Sequence, residues 1–135
     1  MRKQVSKEFA IHNLPIYSVS EISNVIKNTI ESDFSHVRVR GEISGSKKAT
    51  SGHIYFSLKD ESFVLDSICW RGTASKLKIL PDDGLEIVAM GRLTTYGARS
   101  KYQLIVDSIE LAGEGALLKL LEELNGGYLL LILFN

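Results

Sequence analysis

One cysteine, two prolines, one tryptophan and three histidines in 135 residues leave few routes to several kinds of chemistry. Cys69 has no partner for an intramolecular disulfide, and it sits in an apolar, alternating stretch rather than among histidines or carboxylates at ligand spacing. A buried thiol acting as a small hydrophobe is the expectation, and a reducing compartment suits that usage. His12, His36 and His53 lie far apart along the chain, without the spacing of a metal site. The motifs of phosphate-binding loops, dinucleotide folds, serine hydrolases, zinc proteases and paired-cysteine sites do not occur. The acidic pairs Asp60-Glu61 and Asp82-Asp83 read as solvated turn residues. No cofactor and no metal are expected, and the residues point to a binding module.

Long apolar runs are scarce too. The tail from Tyr128 to Phe134 is about a third of the roughly 20 residues a membrane helix needs. The first ten residues, MRKQVSKEFA, lack the apolar stretch of a secretory signal. No membrane association and a cytoplasmic location are therefore expected.

The net charge is zero, which argues against a uniformly basic nucleic-acid-binding protein. Its distribution is uneven, however. Between His36 and Tyr102 there are eleven Lys and Arg against seven Asp and Glu, and the acidic C-terminal part cancels this surplus. A local excess of cations is what attraction to phosphates requires.

The residues that are present divide the chain into three parts: an arm over residues 1–16, a domain over 17–112, and a linker helix with an apolar tail over 113–135. Ser18-Val19-Ser20-Glu21 has the form of a capping box, with Tyr17 placed to staple onto Ile22. Ile22, Val25, Ile26 and Ile30 follow at helical spacing, so a helix is predicted from Val19 to Glu31.

From His36 the period becomes two, with Val37, Val39, Gly41 and Ile43 on one face and Arg38, Arg40 and Glu42 on the other. A Gly-, Ser- and Lys-rich stretch, 44–51, reads as a loop. The segment SGHIYFSLKD then predicts a second strand from His53 to Lys59. A turn at Asp60-Glu61-Ser62 leads to a third strand from Phe63 to Trp70. Arg71 to Leu80 reads as a short helix with Leu77 and Leu80 plugging one end of a sheet, and Pro81-Asp82-Asp83-Gly84 as a turn. Strands four, Leu85 to Thr94, and five, Tyr102 to Leu111, flank a loop. A last helix is predicted to begin near Gly115 and to stop at Asn125-Gly126-Gly127.

Five short strands with a helix between the third and fourth predict a mainly β (α+β) domain: a five-stranded OB barrel preceded by an N-terminal helix and followed by a short C-terminal helix. Such barrels bind ligands on the face of strands two and three and on the one-two and four-five loops. Four sets of residues fall there. Arg38 and Arg40 project from strand one, and Lys47 and Lys48 occupy the one-two loop. His53, Tyr55 and Lys59 share the polar face of strand two, beside Trp70 and Arg71 at the end of strand three. Arg92 closes strand four, and Tyr96, Arg99 and Lys101 lie in the four-five loop. Aromatic rings accept stacked bases of any sequence and cations track a phosphate backbone, so the set suits single-stranded nucleic acid. Each member also fits a plainer role: a solvated face, a solubilising loop, a barrel-end plug for Trp70, a turn brace for Tyr96.

The chain closely resembles the N-terminal segment of the exodeoxyribonuclease VII large subunit, through YSVSEIS at Tyr17, VRVRGEIS at Val37, SGHIYFSLKD at Ser51, PDDGLEIVAMGRLTTY at Pro81 and YQLIVDSIELAGEGAL at Tyr102. The resemblance implies an OB domain that binds single-stranded DNA and feeds it to a catalytic domain lying downstream of AGEGAL. In that family the large subunit joins several small subunits, and the holoenzyme cuts single-stranded DNA from either end into oligonucleotides without a strict metal requirement. The chain departs from the family pattern at Asp66, where a basic residue is usual, in TTYGARSKY, which lacks the usual proline, and in its ending, NGGYLLLILFN. The expectation is a shortened chain, by truncation or frameshift, inactive by itself, without the region that binds the small subunit. Its apolar tail is expected to pack on the barrel or promote association. A protein-docking barrel for subunit assembly, and an RNA-binding barrel like those attached to tRNA synthetases, are the alternatives.

Overall fold

The computed structural model describes residues 13–113. The predicted C-terminal helix, its apolar tail, and residues 1–12 of the arm lie outside the described residues.

The first helix, α1, spans Val19–Asp33. Its capping box forms as the sequence prescribes: the Ser18 hydroxyl accepts from the Glu21 N–H at 3.0 Å, and the Glu21 carboxylate accepts from the Ser18 N–H at 3.1 Å. The Ser18 backbone N–H, and after it the Ser18 hydroxyl, hold the Glu21 carboxyl below its ordinary pKa. The helix buries none of its residues. It is tied to the barrel near its C-terminal end, where the Thr94 hydroxyl donates to Glu31 at 2.5 Å and the Leu93 N–H donates to the Phe34 carbonyl at 3.0 Å.

Five strands follow: β1, Val37–Lys48; β2, Ile54–Lys59; β3, Val64–Cys69; β4, Glu86–Thr95; and β5, Tyr102–Leu111. They close into a barrel in the order β1-β2-β3-β5-β4, with β3 and β5 parallel and the other pairs antiparallel. The predicted OB barrel is the observed architecture. β1 serves two neighbours: Val37 to Glu42 pair with β4, and Glu42 to Lys48 pair with β2. The alternation read from the sequence sets the inside and the outside. Ile43, Ile54, Phe56, Leu58, Ile87 and Leu104 turn inward into one core, while Arg38, Arg40, Tyr55 and Lys59 stay exposed. Cys69 is fully buried, and burial, with the Asp107 carboxylate adding to it, pushes its thiol up to about 11, leaving an unreactive core side chain.

Two predictions for the connections are corrected. Lys47 and Lys48 are not in a flexible loop. β1 continues through them after an irregularity between Ser44 and Lys47, where Gly45 takes φ 65°, and they pair with Tyr55 and Ile54. A glycine- and serine-rich stretch that would ordinarily be a loop is here a bulged strand, because pairing with β2 supplies its backbone hydrogen bonds. The second helix, α2, is a single turn, Arg71–Ala74. Beyond it Leu77 and Ile79 pack against the core, whereas Leu80 is exposed, because the apolar residues there alternate instead of following a helical period.

The β2–β3 turn is fixed by the Asp60 carboxylate, which accepts from the N–H groups of Ser62 and Phe63, both at 2.8 Å. Those bonds, Ser62 first, lower the Asp60 pKa. No helix among the described residues is long and apolar enough to cross a membrane.

Candidate nucleic-acid interface

The outer faces of β2 and β3 and the loop between β4 and β5 enclose a cleft of about 420 Å³. Tyr55 and Ser57 of β2 and Asp66 of β3 form one wall. Tyr96, Arg99, Lys101, Tyr102 and Gln103 form the other. The loop is a tight turn, in which the Tyr96 N–H donates to the Lys101 carbonyl at 2.7 Å and the Arg99 N–H donates to the Tyr96 carbonyl at 3.1 Å. Gly97 takes φ 49° there, a conformation that favours glycine. The turn holds its two cations on a defined support.

Three tyrosines meet in this cleft with their rings free: Tyr55 is 41% exposed, Tyr96 51% and Tyr102 57%. Large aromatic surface left wet beside cations suits a planar, anionic ligand. Among the described residues Asp66 is the one carboxylate in the lining. It repels a phosphate placed against it, but it can accept from an exocyclic amine of a base. Lys47 stands directly opposite Tyr55 in the β1–β2 register, so a further cation shares that face.

Residues 17–110 match the family model described as an OB-fold nucleic acid binding domain. The chain belongs to that family. It is 52% identical over 118 residues to the exodeoxyribonuclease 7 large subunit of Zymomonas mobilis subsp. mobilis, an overlap of 87% of this chain and 22% of that protein. It is 54% identical over 111 residues to the large subunit from Rhodospirillum centenum, covering 82% of this chain and 21% of that one. The resemblance read from the motifs is thereby shown, and the chain spans about a fifth of the length of these relatives. Among solved structures it is similar to a chain of the S. pombe Stn1-ten1 complex, with a TM-score of 0.48 and 17% identity over 60% of each chain.

Within this OB-fold domain the residues singled out from the sequence separate into groups. Tyr55, Tyr96, Arg99 and Lys101 come together in the cleft. His53, Trp70 and Arg71 form a second cluster at the other end of the β2–β3 pair. There the rings of His53 and Trp70 meet edge to face at 5.0 Å and 84°, and the Arg71 N–H donates to His53 Nδ1 at 2.8 Å. Trp70 is 42% exposed, so its ring caps this corner from outside instead of plugging the barrel. The stem of Arg71 lies over Gly52, where a Cβ would come within 2.9 Å of its Cγ. This cluster holds the β3–α2 junction to the start of β2 and extends the aromatic face beyond Tyr55.

Arg38 and Arg40 lie elsewhere. They extend from the half of β1 that pairs with β4, where Arg38 forms an ion pair with Glu110 and Arg40 Nε donates to Glu86 at 2.8 Å. Lys59 is exposed opposite Glu42, and Lys48 is exposed at the end of β1; neither lines the cleft. Arg92 is within β4 rather than at its end, exposed opposite Ile105, because the strand runs on to Thr95 after a register shift at Met90/Gly91.

Tyr102 and Gln103, which open β5, read from the sequence only as strand residues. The signal was available: Tyr102 directly follows Lys101, and alternation sends it to the same outer side as the loop it ends. Among the described residues no three His, Cys, Asp or Glu side chains gather in a group able to hold a metal ion.

Proposed function

We propose that this OB-fold domain binds single-stranded DNA in the cleft between Tyr55 and the β4–β5 loop, and that it presents the strand to the catalytic domain of an exodeoxyribonuclease VII large subunit. The observation that carries the proposal is the meeting of three exposed tyrosines with Arg99 and Lys101 in one concavity. Stacking requires unpaired bases, and the three rings offer it without reading sequence. Lys47, and beyond it Trp70 and Arg71, continue the surface. DNA rather than RNA is supported by the relatives, which are named as deoxyribonuclease subunits. On this reading residues 17–112 are the binding unit, the setting is DNA catabolism in the cytoplasm, and the full enzyme includes the small subunit.

Titration of a labelled oligothymidylate tests the reading. With Arg99, Lys101 and Lys47 each neutralising a phosphate, affinity should fall roughly 20-fold between about 50 and about 200 mM salt, given a slope of about −0.7 per phosphate for single strands. The oligonucleotide should be recovered intact, since the 135-residue chain is expected to bind and not to cut. No binding at low salt, or binding indifferent to salt, would contradict the proposal. An RNA oligomer that competes better than DNA would move the assignment to RNA.

A further inference from the structure

We infer that a second cleft, between α1 and the opposite side of the β4–β5 loop, is an additional subsite for the same nucleic-acid strand, an inference that rests on the function proposed above. This cleft measures about 400 Å³, within the range of small-ligand sites. Arg99, Lys101 and Tyr102 line both clefts, so the loop is a ridge with one concavity on either side. A strand held by the first cleft needs only to cross this ridge to enter the second.

The lining of the second cleft matches that occupant. α1 contributes the Lys27 ammonium, the Asn24 amide and the Ser23 hydroxyl, with Ile26 beside them as apolar surface. With Arg99 and Lys101 the cleft carries three cations, and among the described residues no carboxylate lines it. The first cleft, in contrast, contains Asp66. Phosphates are therefore favoured on the α1 side and bases on the tyrosine side, which divides the work along one strand.

The concavity is also built into the fold. α1 is anchored by the Thr94–Glu31 and Leu93–Phe34 hydrogen bonds at its far end, yet Ile26 remains 48% exposed where the helix faces the cleft. A helix pinned to the barrel with an apolar residue left wet beside cations that share their cleft with no carboxylate among the described residues is suited to the sugar and base edges of a strand whose phosphates those cations hold.

The test compares oligothymidylates of about five and about ten nucleotides, the shorter filling one OB site and the longer reaching across the ridge. Lys27→Ala should weaken the longer oligomer about threefold or more and lower its salt slope by about 0.7, while leaving the shorter one unchanged. Ser23→Glu, which places a carboxylate in the cleft, should act in the same direction. Both positions are exposed on a helix that buries nothing, so both variants should fold, as circular dichroism will verify. Unchanged binding of the longer oligomer by both variants, or equal weakening of both lengths, overturns the second subsite while leaving the first intact. Failure of the unmodified protein to bind either length overturns the first reading together with this one.

Discussion

Tyr55→Ala should lower the affinity for an oligothymidylate by about 5- to 150-fold, the loss expected when one stacking ring worth about 1–3 kcal/mol is removed. The ring is 41% exposed and projects from the outer face of β2, so its removal leaves the core intact and the protein should melt at the temperature of the unmodified chain. Tyr55→Phe keeps the aromatic face and should retain most of the affinity. Arg40→Ala is the useful contrast. Its guanidinium is paired with Glu86 on the β1–β4 side, away from the cleft lining, and binding should change by less than about twofold, since exposed pairs contribute little. Fluorescence anisotropy on the three variants decides the matter. Full affinity in Tyr55→Ala would instead favour a barrel whose outer face docks another protein.

The largest effect on stability is expected at Gly91, in β4. A Cβ placed there would come within 1.8 Å of the Ile105 carbonyl oxygen and 2.9 Å of its carbon, and these are backbone atoms of β5. Flexible side-chain ends could yield to such an intrusion. A neighbouring strand can yield only by breaking the ladder, at the place where the β4–β5 register already shifts. Gly91→Ala should therefore destabilise the barrel by about 3 kcal/mol or more, at the upper end of ordinary overpacking. For a domain of this size that corresponds to a fall in melting temperature of roughly 10–25 °C. Gly72, where an added Cβ meets nothing within 4 Å, supplies the control, and Gly72→Ala should melt close to the unmodified protein. A Gly91→Ala protein that melts within a few degrees of it would show that β4 and β5 separate more readily than their pairing implies.

The contrast between Tyr55 and Arg40 also shows what local sequence conveys. Alternation along SGHIYFSLKD places Ile54, Phe56 and Leu58 inside and Tyr55 outside, because a strand has a period of two and a barrel has one inside. The helix cap at Ser18 is equally local, with donor and acceptor three residues apart. Arg38 and Arg40 carry no such local sign of their fate. Their partners lie 72 and 46 residues away, and only the joining of β1, β4 and β5 brings Glu110 and Glu86 to them. Lys47 and Lys48 were obscured for a different reason: glycine and serine suggest a loop, and pairing with β2 overrides that preference. The cleft itself was half legible. The four-five loop, Tyr55 and, by its place after Lys101, Tyr102 are readable from the barrel pattern, whereas Gln103 and the placing of Asp66 against that loop enter only when the β3–β5 neighbourhood is known.

Assignment of the backbone amides by NMR, followed by titration with a short oligothymidylate, tests the location of the binding surface most directly. The largest shifts should fall on Tyr55, Ser57 and residues 96–103, with the Arg38, Arg40, Glu86 and Glu110 amides nearly still. Shifts concentrated on that β1–β4–β5 face, with the tyrosine cleft unmoved, would contradict it.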